Sequence, residues 1–472
     1  MAKASRKPSS RTSRRQQAAR PRFSKRYARV EDLPVVHRHA AGIDLGGDVS
    51  HFVAVEVGDE IEVQEFGGMT PDLHALVAYL TTHEVTTVAM EATGVYWMPV
   101  YDLLEAAGFE VYLVNPSHVK NVPGRRKDDK LDCRWLQKLH TYGLLSASFR
   151  PSEEIRPLRS FYRQRSTLVQ LAADEVRRMQ KALDVMNVRI HKAISDLCGV
   201  TGLRIVRAIV AEERDPAVLA SLRDPRCQCS REELCQALTG HYHPSQVVAL
   251  RQALARYDFL VAQIAELDRE IETYLTTLIP LPDDDIAATI AAAAQPLPTG
   301  KHAPAFNVTA YVDLFTGHDP TVLPGIGPQL ALGLLAELGR DMAPWPTDKH
   351  FGAYLALAPQ HKISGGKVLA SKTRPGSHPA AVLFRQAAAA VIRTDSALGA
   401  FYRRLAIRIG SAKALTATAY KIARMYYHLL RDGRAYVELG EQAYDAKYRK
   451  QQIAALEKKA KRFGLTVTPA AA

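Results

Sequence analysis

The sequence predicts an α/β domain near the amino terminus, a helical central region and an all-α domain towards the carboxyl terminus. Short apolar runs separated by turn residues fill residues 39–150, which indicates strands. From 152 to 279 apolar residues recur at spacings of three and four, which indicates long helices. Helical patterns return after residue 320. A chain of 472 residues is long enough for two or three such domains, each with its own core.

The composition is that of a globular protein with an excess of positive charge. The formal net charge is +13, and 47% of the residues are hydrophobic. No apolar run reaches the roughly 18 residues of a membrane span, so we expect no membrane association. The five cysteines are odd in number and scattered, which favours a reducing, cytoplasmic environment over a disulfide framework.

Basic segments lie at both ends of the chain. Residues 1–38 form a predicted disordered arm, because the stretch from Lys3 to Arg29 is rich in Lys, Arg, Ser and Pro and has no acidic residue. Residues 437–472 form a predicted basic tail, with its charge concentrated between Lys447 and Arg462. A basic arm on a basic protein favours nucleic acid as a partner, although the same composition serves for solubility alone.

Residues 39–150 contain consecutive strands followed by alternating strands and helices. Three short strands in a row predict an antiparallel front half of a sheet, and the later alternation predicts a parallel back half. That order is expected of a ribonuclease-H-like domain. The predicted strands are 41–46, 51–57, 61–66, 86–91 and 109–114, and the predicted helices are 71–82 and 95–107.

Residues 151–280 carry two apolar stripes with coiled-coil spacing, one from Leu168 to Leu197 and one from Leu250 to Leu278. The two helices can pair as an antiparallel hairpin within one chain, or between subunits as an oligomerisation arm. Residues 281–320, rich in Pro, Asp, Ala and Thr, are expected to be a linker or an insertion.

Four acidic residues stand at the ends of predicted elements. Asp44 ends the first strand before a glycine turn, and Glu91 ends a later buried strand. Asp129 and Asp132 are three apart and share one face at the start of a predicted helix. Each acid alone is also compatible with a turn or a helix cap. Together they can hold two divalent ions about 4 Å apart, which activate an attacking oxygen and stabilise a leaving one on a phosphodiester.

Glycines and basic residues are candidates for contacts with nucleic-acid phosphates. The turn at 324–328 is of the helix-hairpin-helix kind, in which Gly325 and Gly327 let backbone N–H groups approach a phosphate. Such turns also occur for packing alone. The candidate basic residues are Lys120, Arg125, Arg126, Lys127, Lys130, Lys362, Lys367, Lys372 and Arg374.

Two further groups of residues could carry chemistry. Ser364 precedes two glycines in a predicted flexible loop among lysines, where a serine could act as a nucleophile near phosphates, although Ser-Gly-Gly is also an ordinary loop. A second group raises the question of zinc, although the paired Cys-x-x-Cys spacing is absent. Its members are Cys227, Cys229, Cys235, His241 and His243.

The order of five motifs resembles the DEDD transposases of bacterial insertion sequences, the insertion-sequence-one-ten family. The motifs are Gly-Ile-Asp at 42–44, Met-Glu-Ala-Thr-Gly at 90–94, Lys-x-Asp-Lys-x-Asp-x-x-x-Leu at 127–136, Pro-Gly-Ile-Gly-Pro at 324–328 and Leu-Ala-Pro followed by Ser-Gly-Gly-Lys within 357–367. The resemblance covers roughly residues 40–165 and 320–435. The basic arm and the 281–320 stretch look like additions to the family pattern. Ile363 stands where a polar residue is frequent, which leaves Ser364 as the candidate nucleophile and Ser371 as a distant second.

The resemblance implies a resolvase-like (RuvC-like) catalytic domain at 39–150. Its magnesium-binding tetrad would be Asp44, Glu91, Asp129 and Asp132. It also implies a transposase domain at 321–436, whose Ser364 forms a covalent phosphoserine link to DNA. Family members are described as tetramers guided by a bridge RNA, whose pairing selects donor and target DNA. For this chain the resemblance implies a homo-oligomer, either a dimer or a tetramer. That scheme places the protein in the bacterial cytoplasm, associated with the nucleoid.

The predicted function is therefore a DNA recombinase of an insertion sequence. Two alternatives remain open. One is a metal-dependent endonuclease of the Holliday-junction type that uses water instead of Ser364, and the other is a nucleic-acid-binding scaffold without enzymatic activity. Replacing Ser364 separates the first alternative from a recombinase, and replacing the acids separates the second.

Overall fold

The computed structural model describes residues 33–468, except 48, 59, 93, 116–128, 294–299 and 377. Nearly all of the predicted amino-terminal arm, residues 1–38, lies outside the described residues. The chain forms two compact units, which divide between Arg150 and Pro151. The side chains of four further residues also lie outside the described part: Asp129, Lys130, Asp283 and Lys362.

A five-stranded mixed sheet forms the centre of the first unit. Its elements are β1 (Ala40–Gly46), β2 (Ser50–Val57), β3 (Glu60–Gly67), α1 (Thr70–Thr82), β4 (Thr87–Glu91), α2 (Trp97–Ala106), β5 (Glu110–Val114) and α3 (Asp129–Thr141). The strand order is β3-β2-β1-β4-β5. β1, β2 and β3 pair antiparallel, whereas β4 pairs parallel to both β1 and β5. The predicted antiparallel front half and parallel back half are confirmed, and the sheet is compatible with a ribonuclease-H-like fold.

Apolar side chains cover both faces of this sheet. On one face Ile43 of β1 and Met90 of β4 pack in a core with Leu76 of α1. On the other face Ala89 of β4 packs with Leu136 of α3. Because strand side chains alternate between faces, β1 and β4 are apolar on both sides, as expected of the inner strands of a layered α/β domain.

Gly42 allows α3 to lie directly against β1. A Cβ atom on Gly42 would come within 2.3 Å of the Gln137 backbone nitrogen and 2.4 Å of the Cys133 carbonyl oxygen. Neither backbone atom can move without displacing the helix. The glycine two residues before Asp44 therefore sets how closely α3 approaches the end of β1.

The second unit is mostly helical. Its elements are α4 (Arg156–Val185), α5 (Val200–Val210), α6 (Pro216–Ser221), α7 (Arg231–Leu238), α8 (Pro244–Leu278), α9 (Asp283–Ala292), α10 (Val308–Thr316), α11 (Pro328–Leu338), α12 (Asp348–Tyr354), β6 (Pro359–Ser364), β7 (Lys367–Thr373), α13 (Pro379–Val391), α14 (Ala397–Ile409), α15 (Ser411–Asp432) and α16 (Gly440–Arg462).

The two coiled-coil stripes pair within one chain, which is one of the two arrangements that the sequence allows. Helices α4 and α8 are antiparallel, since Arg165 pairs with Asp268 while Glu175 pairs with Arg256 at 2.9 Å. The Arg165 guanidinium and the Asp268 carboxylate are both buried and meet through two hydrogen bonds. Arg165 Nη2 also donates to the His302 carbonyl oxygen at 2.8 Å, which ties the segment before α10 to the helix pair.

The structure differs from the predicted organisation of the second half in three places. Helices α9 and α10 lie within 281–320, where a linker or insertion was expected. The prediction of an all-α carboxyl-terminal domain is wrong, because β6 and β7 form an antiparallel hairpin. Helix α16 occupies the predicted basic tail, and none of its residues is buried. In the described ranges, no helix combines the length and the hydropathy needed to cross a bilayer.

Candidate active site

Asp44 and Glu91 lie at the same level on two hydrogen-bonded parallel strands. The last paired residues of β1 and β4 are Ile43 and Met90. Asp44 and Glu91 follow directly on their respective strands, so the pairing offset places the two acids side by side. Ile43 and Met90 belong to the core with α1, so Asp44 and Glu91 project to the opposite face, which α3 covers.

Contacts between α3 and β4 set the direction in which α3 runs along the strand. His140 Nε2 lies 2.8 Å from Thr87 Oγ1, and Leu136 packs against Ala89. Moving back four residues along an α-helix covers about 6 Å, as does moving forward two residues along a strand. Continued by one more step, this antiparallel register would bring Asp132 to the level of Glu91, and both residues are buried.

Asp44 is close enough to α3 to act on one of its side chains. Burial raises the pKa of the Cys133 thiol to about 12, and the negative charge of Asp44 acts in the same direction. Cys133 is next to Asp132 on α3. Strand β1 and helix α3 therefore bring Asp44 and the Asp132 segment to one end of the sheet.

The remaining tetrad member is described only through its backbone. Asp129 is the first residue of α3, one helical turn before Asp132. The side chains of Asp129 and Lys130 lie outside the described part of the chain, as do Lys120, Arg125, Arg126 and Lys127. Among the described side chains, no three His, Cys, Asp or Glu residues form a group that could hold a metal ion.

Ser364 is the last residue of β6 and lies on a hairpin rather than in a flexible loop. It pairs with Lys367 across the two-residue turn Gly365-Gly366. Both glycines have positive φ angles, +55° and +75°, as a tight hairpin turn of this length requires. The Ser364 side chain is exposed to solvent.

The basic candidates near Ser364 share its hairpin. Lys367 and Lys372 are exposed residues of β7, and Arg374 follows that strand, where its Nη2 donates to the Tyr354 carbonyl oxygen at 3.4 Å. Lys362 is a residue of β6 whose side chain lies outside the described part. The hairpin therefore presents a serine and cations to solvent together.

The glycine turn at 324–328 is closely packed on one side. A Cβ atom on Gly325 would come within 2.2 Å of the Ala387 carbonyl oxygen of α13, and Gly325 has a φ of +80°. Gly327 is the N-cap residue of α11 and has open space at its Cβ position. Packing against α13 thus explains Gly325, whereas the Cβ position of Gly327, at the start of α11, is open space.

The cysteine and histidine group does not form a metal site in the described part of the chain. The side chains of Cys227 and Cys229 are in contact, with their Sγ atoms 3.3 Å apart. The rings of His241 and His243 have centroids 6.4 Å apart. Within the described ranges, no three Cys, His, Asp or Glu side chains come together in a way that could hold a metal ion.

Sequence reasoning missed the contact between His140 and Thr87, which ties α3 to β4. The two residues are 53 positions apart in the chain, and only the fold brings them together. His140 also stacks on His37, with ring centroids 4.5 Å apart. A histidine on the apolar face of α3 was the only signal in the sequence, and it is equally typical of a packed core.

The topology of this sheet, with acidic residues at the ends of β1 and β4, is compatible with a ribonuclease-H-like domain. Residues 41–188 match a family model described as a transposase, and residues 321–403 match the transposase IS116/IS110/IS902 family. Both matches support an IS110-family DEDD transposase. A search of curated proteins found no match. As a transposase, it is a DNA-cutting enzyme and its partner is DNA.

Proposed function

We propose that this transposase recombines DNA at a magnesium site formed by the acid tetrad, with Ser364 as the nucleophile. The observation that carries the proposal is that Asp44 and Glu91 directly follow the last paired residues of β1 and β4, while α3, which carries Asp132, packs on the same face of the sheet. Asp129, one turn before Asp132, would complete the tetrad.

The chemistry of these side chains fits Mg²⁺. All four donors are carboxylates, and Mg²⁺ prefers oxygen ligands. Asp44 and Glu91 come from strands that hydrogen bonds hold together, so their separation is set by the sheet. Magnesium held there would stabilise the negative charge that develops on a phosphodiester during cleavage. The chain's own part is to hold the acids in a fixed arrangement at one end of the sheet.

The exposed hairpin suits a serine that attacks a phosphodiester. The Ser364 Oγ atom forms a bond to phosphorus while the bond from phosphorus to the leaving oxygen breaks. The proton lost by the hydroxyl balances the one gained by the leaving oxygen. Because the phosphoserine link conserves the ester, the strand can be rejoined to a new partner without hydrolysis. Lys367 and Lys372, on the neighbouring strand, would offset phosphate charge.

The partners proposed with this mechanism are donor DNA, target DNA and a bridge RNA that selects both by base pairing. A dimer or tetramer is proposed as the active form, with the protein in the cytoplasm and associated with the nucleoid. The described basic surfaces on the hairpin and on α16 support binding to polyanions.

The test is a search for a detergent-resistant protein–DNA adduct. Purified protein, RNA transcribed from the flanks of its gene, Mg²⁺ and labelled junction DNA are combined for wild type, Ser364→Ala and Ser371→Ala. Ser371 is the matched control because it lies on the same hairpin, opposite His361. We expect an adduct with wild type and Ser371→Ala and none with Ser364→Ala. Cleaved DNA without adduct in any of the three proteins would favour a hydrolytic junction endonuclease.

The acids are tested in the same assay. Asp44→Asn and Glu91→Gln preserve side-chain volume and remove the charge, and we expect each to reduce strand cleavage by at least ~100-fold. Normal recombination by either variant would refute the metal site, and unchanged DNA binding with no cleavage by wild type would favour a scaffold.

A further inference from the structure

A cavity of about 290 Å³ lies between the start of α14, the middle of α15 and the first half of α16. Most of its lining residues follow residue 403, where the second family match ends. The volume is at the lower end of the range for small-molecule sites and suits one nucleotide rather than a duplex. The lining combines two lysines, three tyrosines and one glutamine: Lys421, Lys447, Tyr436, Tyr444, Tyr448 and Gln451.

The lysines give the cavity an excess of positive charge. Lys421 Nζ lies 4.6 Å from the centroid of the Phe401 ring and 5.4 Å from that of Tyr444. Burial lowers the pKa of the Lys421 ammonium, and the charge of Lys447 lowers it further. Among the described residues, neither lysine takes part in an ion pair. Two neighbouring ammonium groups without a bound carboxylate favour an anionic ligand.

The nearest carboxylates are already engaged. Glu438 accepts hydrogen bonds from the Tyr436 hydroxyl, from the Ala397 backbone nitrogen at 2.9 Å and from the Gly440 backbone nitrogen at 2.7 Å. These three donors hold the Glu438 carboxylate in the turn that precedes α16. It acts on Lys421 only through its charge, at longer range.

The acids at the start of α16 pair with arginines of α14. Glu441 pairs with Arg403 at 2.7 Å, and Asp445 pairs with Arg404. These ion pairs fasten α16 to α14 and leave the lysines of the cavity without a counter-charge from either acid.

Aromatic rings and aliphatic side chains together supply the apolar part of the lining. The Arg404 guanidinium lies 3.6 Å from the centroid of the Tyr448 ring and 4.8 Å from that of Tyr444, which holds both rings in place. Tyr436, a third ring of the lining, lies in the segment that precedes α16. Rings that are fixed before a ligand arrives bind a planar base without a large loss of side-chain entropy.

We infer that this cavity binds one unpaired nucleotide of a single-stranded nucleic acid, with its phosphate at Lys421 and Lys447 and its base among the tyrosines. A base stacked within a duplex cannot enter a cavity of this size, so the site selects unpaired or extruded nucleotides. The inference rests on the proposed function only for the source of the strand, which is either RNA or a displaced DNA strand.

The test measures binding by fluorescence anisotropy with full-length Ser364→Ala protein, which cannot form the proposed adduct. The probes are a single-stranded DNA, a single-stranded RNA of the same sequence and the matching DNA duplex. Lys421→Met and Lys447→Met remove the two charges. Lys447 is exposed, so its replacement leaves the fold intact even if Lys421→Met does not. Lys458→Met is the matched control, because Lys458 is an exposed residue of α16 outside the cavity lining.

We expect Lys447→Met and Lys421→Met to weaken single-strand binding by about 5- to 20-fold and duplex binding by less than about 2-fold. Lys458→Met should lower both affinities equally and slightly. A mononucleotide should compete for the site at lower concentration than inorganic phosphate. Equal losses for single strand and duplex, or no loss with either cavity variant, would overturn the inference. The measurement involves no cleavage, so a failure of the proposed recombination leaves its result unaffected.

Discussion

His140 Nε2 lies 2.8 Å from Thr87 Oγ1 in the interior of the first unit. This contact joins the last turn of α3 to the first residue of β4. Because both elements are rigid, this contact constrains how the rest of α3, which carries Asp132, lies along β4. A hydrogen bond roughly two helical turns away thus contributes to the geometry of the candidate active site.

Removing the His140 contact should therefore lower strand cleavage, although none of the acidic residues is replaced. We expect His140→Ala to lower the free energy of unfolding by about 1–3 kcal/mol, because it leaves the Thr87 hydroxyl buried without this partner. Strand cleavage should fall further than this instability explains, in a measurement well below the unfolding midpoint. His74→Ala, an exposed change on α1, is the control. Full cleavage activity in folded His140→Ala would show that α3 keeps its register by other contacts.

The same histidine gives the first unit an acid-sensitive stability. Burial lowers the pKa of His140 to about 4, below the ordinary value of 6.5. The unfolded chain then binds the proton more tightly, so the free energy of unfolding falls as pH drops from about 6.5 towards 4. This group contributes no pH dependence above that window.

Urea unfolding at pH 7.5 and pH 5 tests this expectation. Wild type should lose about 1–3 kcal/mol more than His140→Gln between the two pH values. Equal losses in both proteins would mean that another group titrates, such as His378 of the second unit, whose pKa burial also lowers to about 4.

Gly42 should tolerate no side chain. We expect Gly42→Ala to cost more than about 3 kcal/mol or to prevent folding, because its Cβ would overlap the backbone of α3. Gly47→Ala is the comparison, since that position has a φ of +74° but open space, and it should cost only about 1 kcal/mol. Thermal unfolding of both variants measures the difference. Similar midpoints would mean that α3 can move away from β1 at little cost.

The buried pair Arg165–Asp268 should be sensitive to the loss of either partner. Asp268→Asn leaves a buried guanidinium without its counter-charge, for which we expect a cost of about 3–5 kcal/mol. The double change Arg165→Met with Asp268→Leu should recover part of that loss, because no charge stays buried. Urea denaturation measures the free energy of unfolding of both variants. A double variant less stable than Asp268→Asn would contradict the expectation that the buried charge causes the loss. An exposed pair, Arg207 with Asp258, is the control and should contribute less than ~1 kcal/mol.

Magnesium should stabilise the first unit through the tetrad. In wild type we expect Mg²⁺ at ten to a hundred times its dissociation constant to add about 1.4–2.7 kcal/mol to the free energy of unfolding. Asp44→Asn should lose that gain, and in chelator it should be as stable as wild type or more so, because fewer negative charges are gathered. Thermal unfolding with and without chelator measures both effects. An equal response to Mg²⁺ in the two proteins would place the ion elsewhere.

The sequence predicted the sheet well because its strands are short apolar runs bounded by turn residues. The observed strands agree with the predicted ones within two residues at each end. The placement of Asp44 and Glu91 at strand ends followed from the same pattern. The distance between the acids could not be predicted, since it depends on the parallel pairing of β1 with β4 and on how α3 lies across them.

The second unit was harder to predict for physical reasons. An apolar stripe reveals that a helix has a partner but does not say which, so the pairing of α4 with α8 within the chain stayed open. Asp268 interrupts no apolar pattern, and nothing local marks it as the partner of Arg165, 103 residues away. The β6–β7 hairpin was missed because its strands are mostly exposed and lack clear polar–apolar alternation.

The two-residue turn between Ser364 and Lys367 has a consequence for how this ribbon can change in length. Successive residues of a strand face opposite sides, so inserting or deleting one residue in β6 turns the serine to the other side. Only steps of two residues restore its original direction. The hairpin already contains one unpaired residue. Leu369 of β7 has no counterpart on β6, because the register shifts after Lys362. The ribbon can therefore lengthen or shorten through evolution only by even numbers, or by pairing each odd step with a compensating bulge.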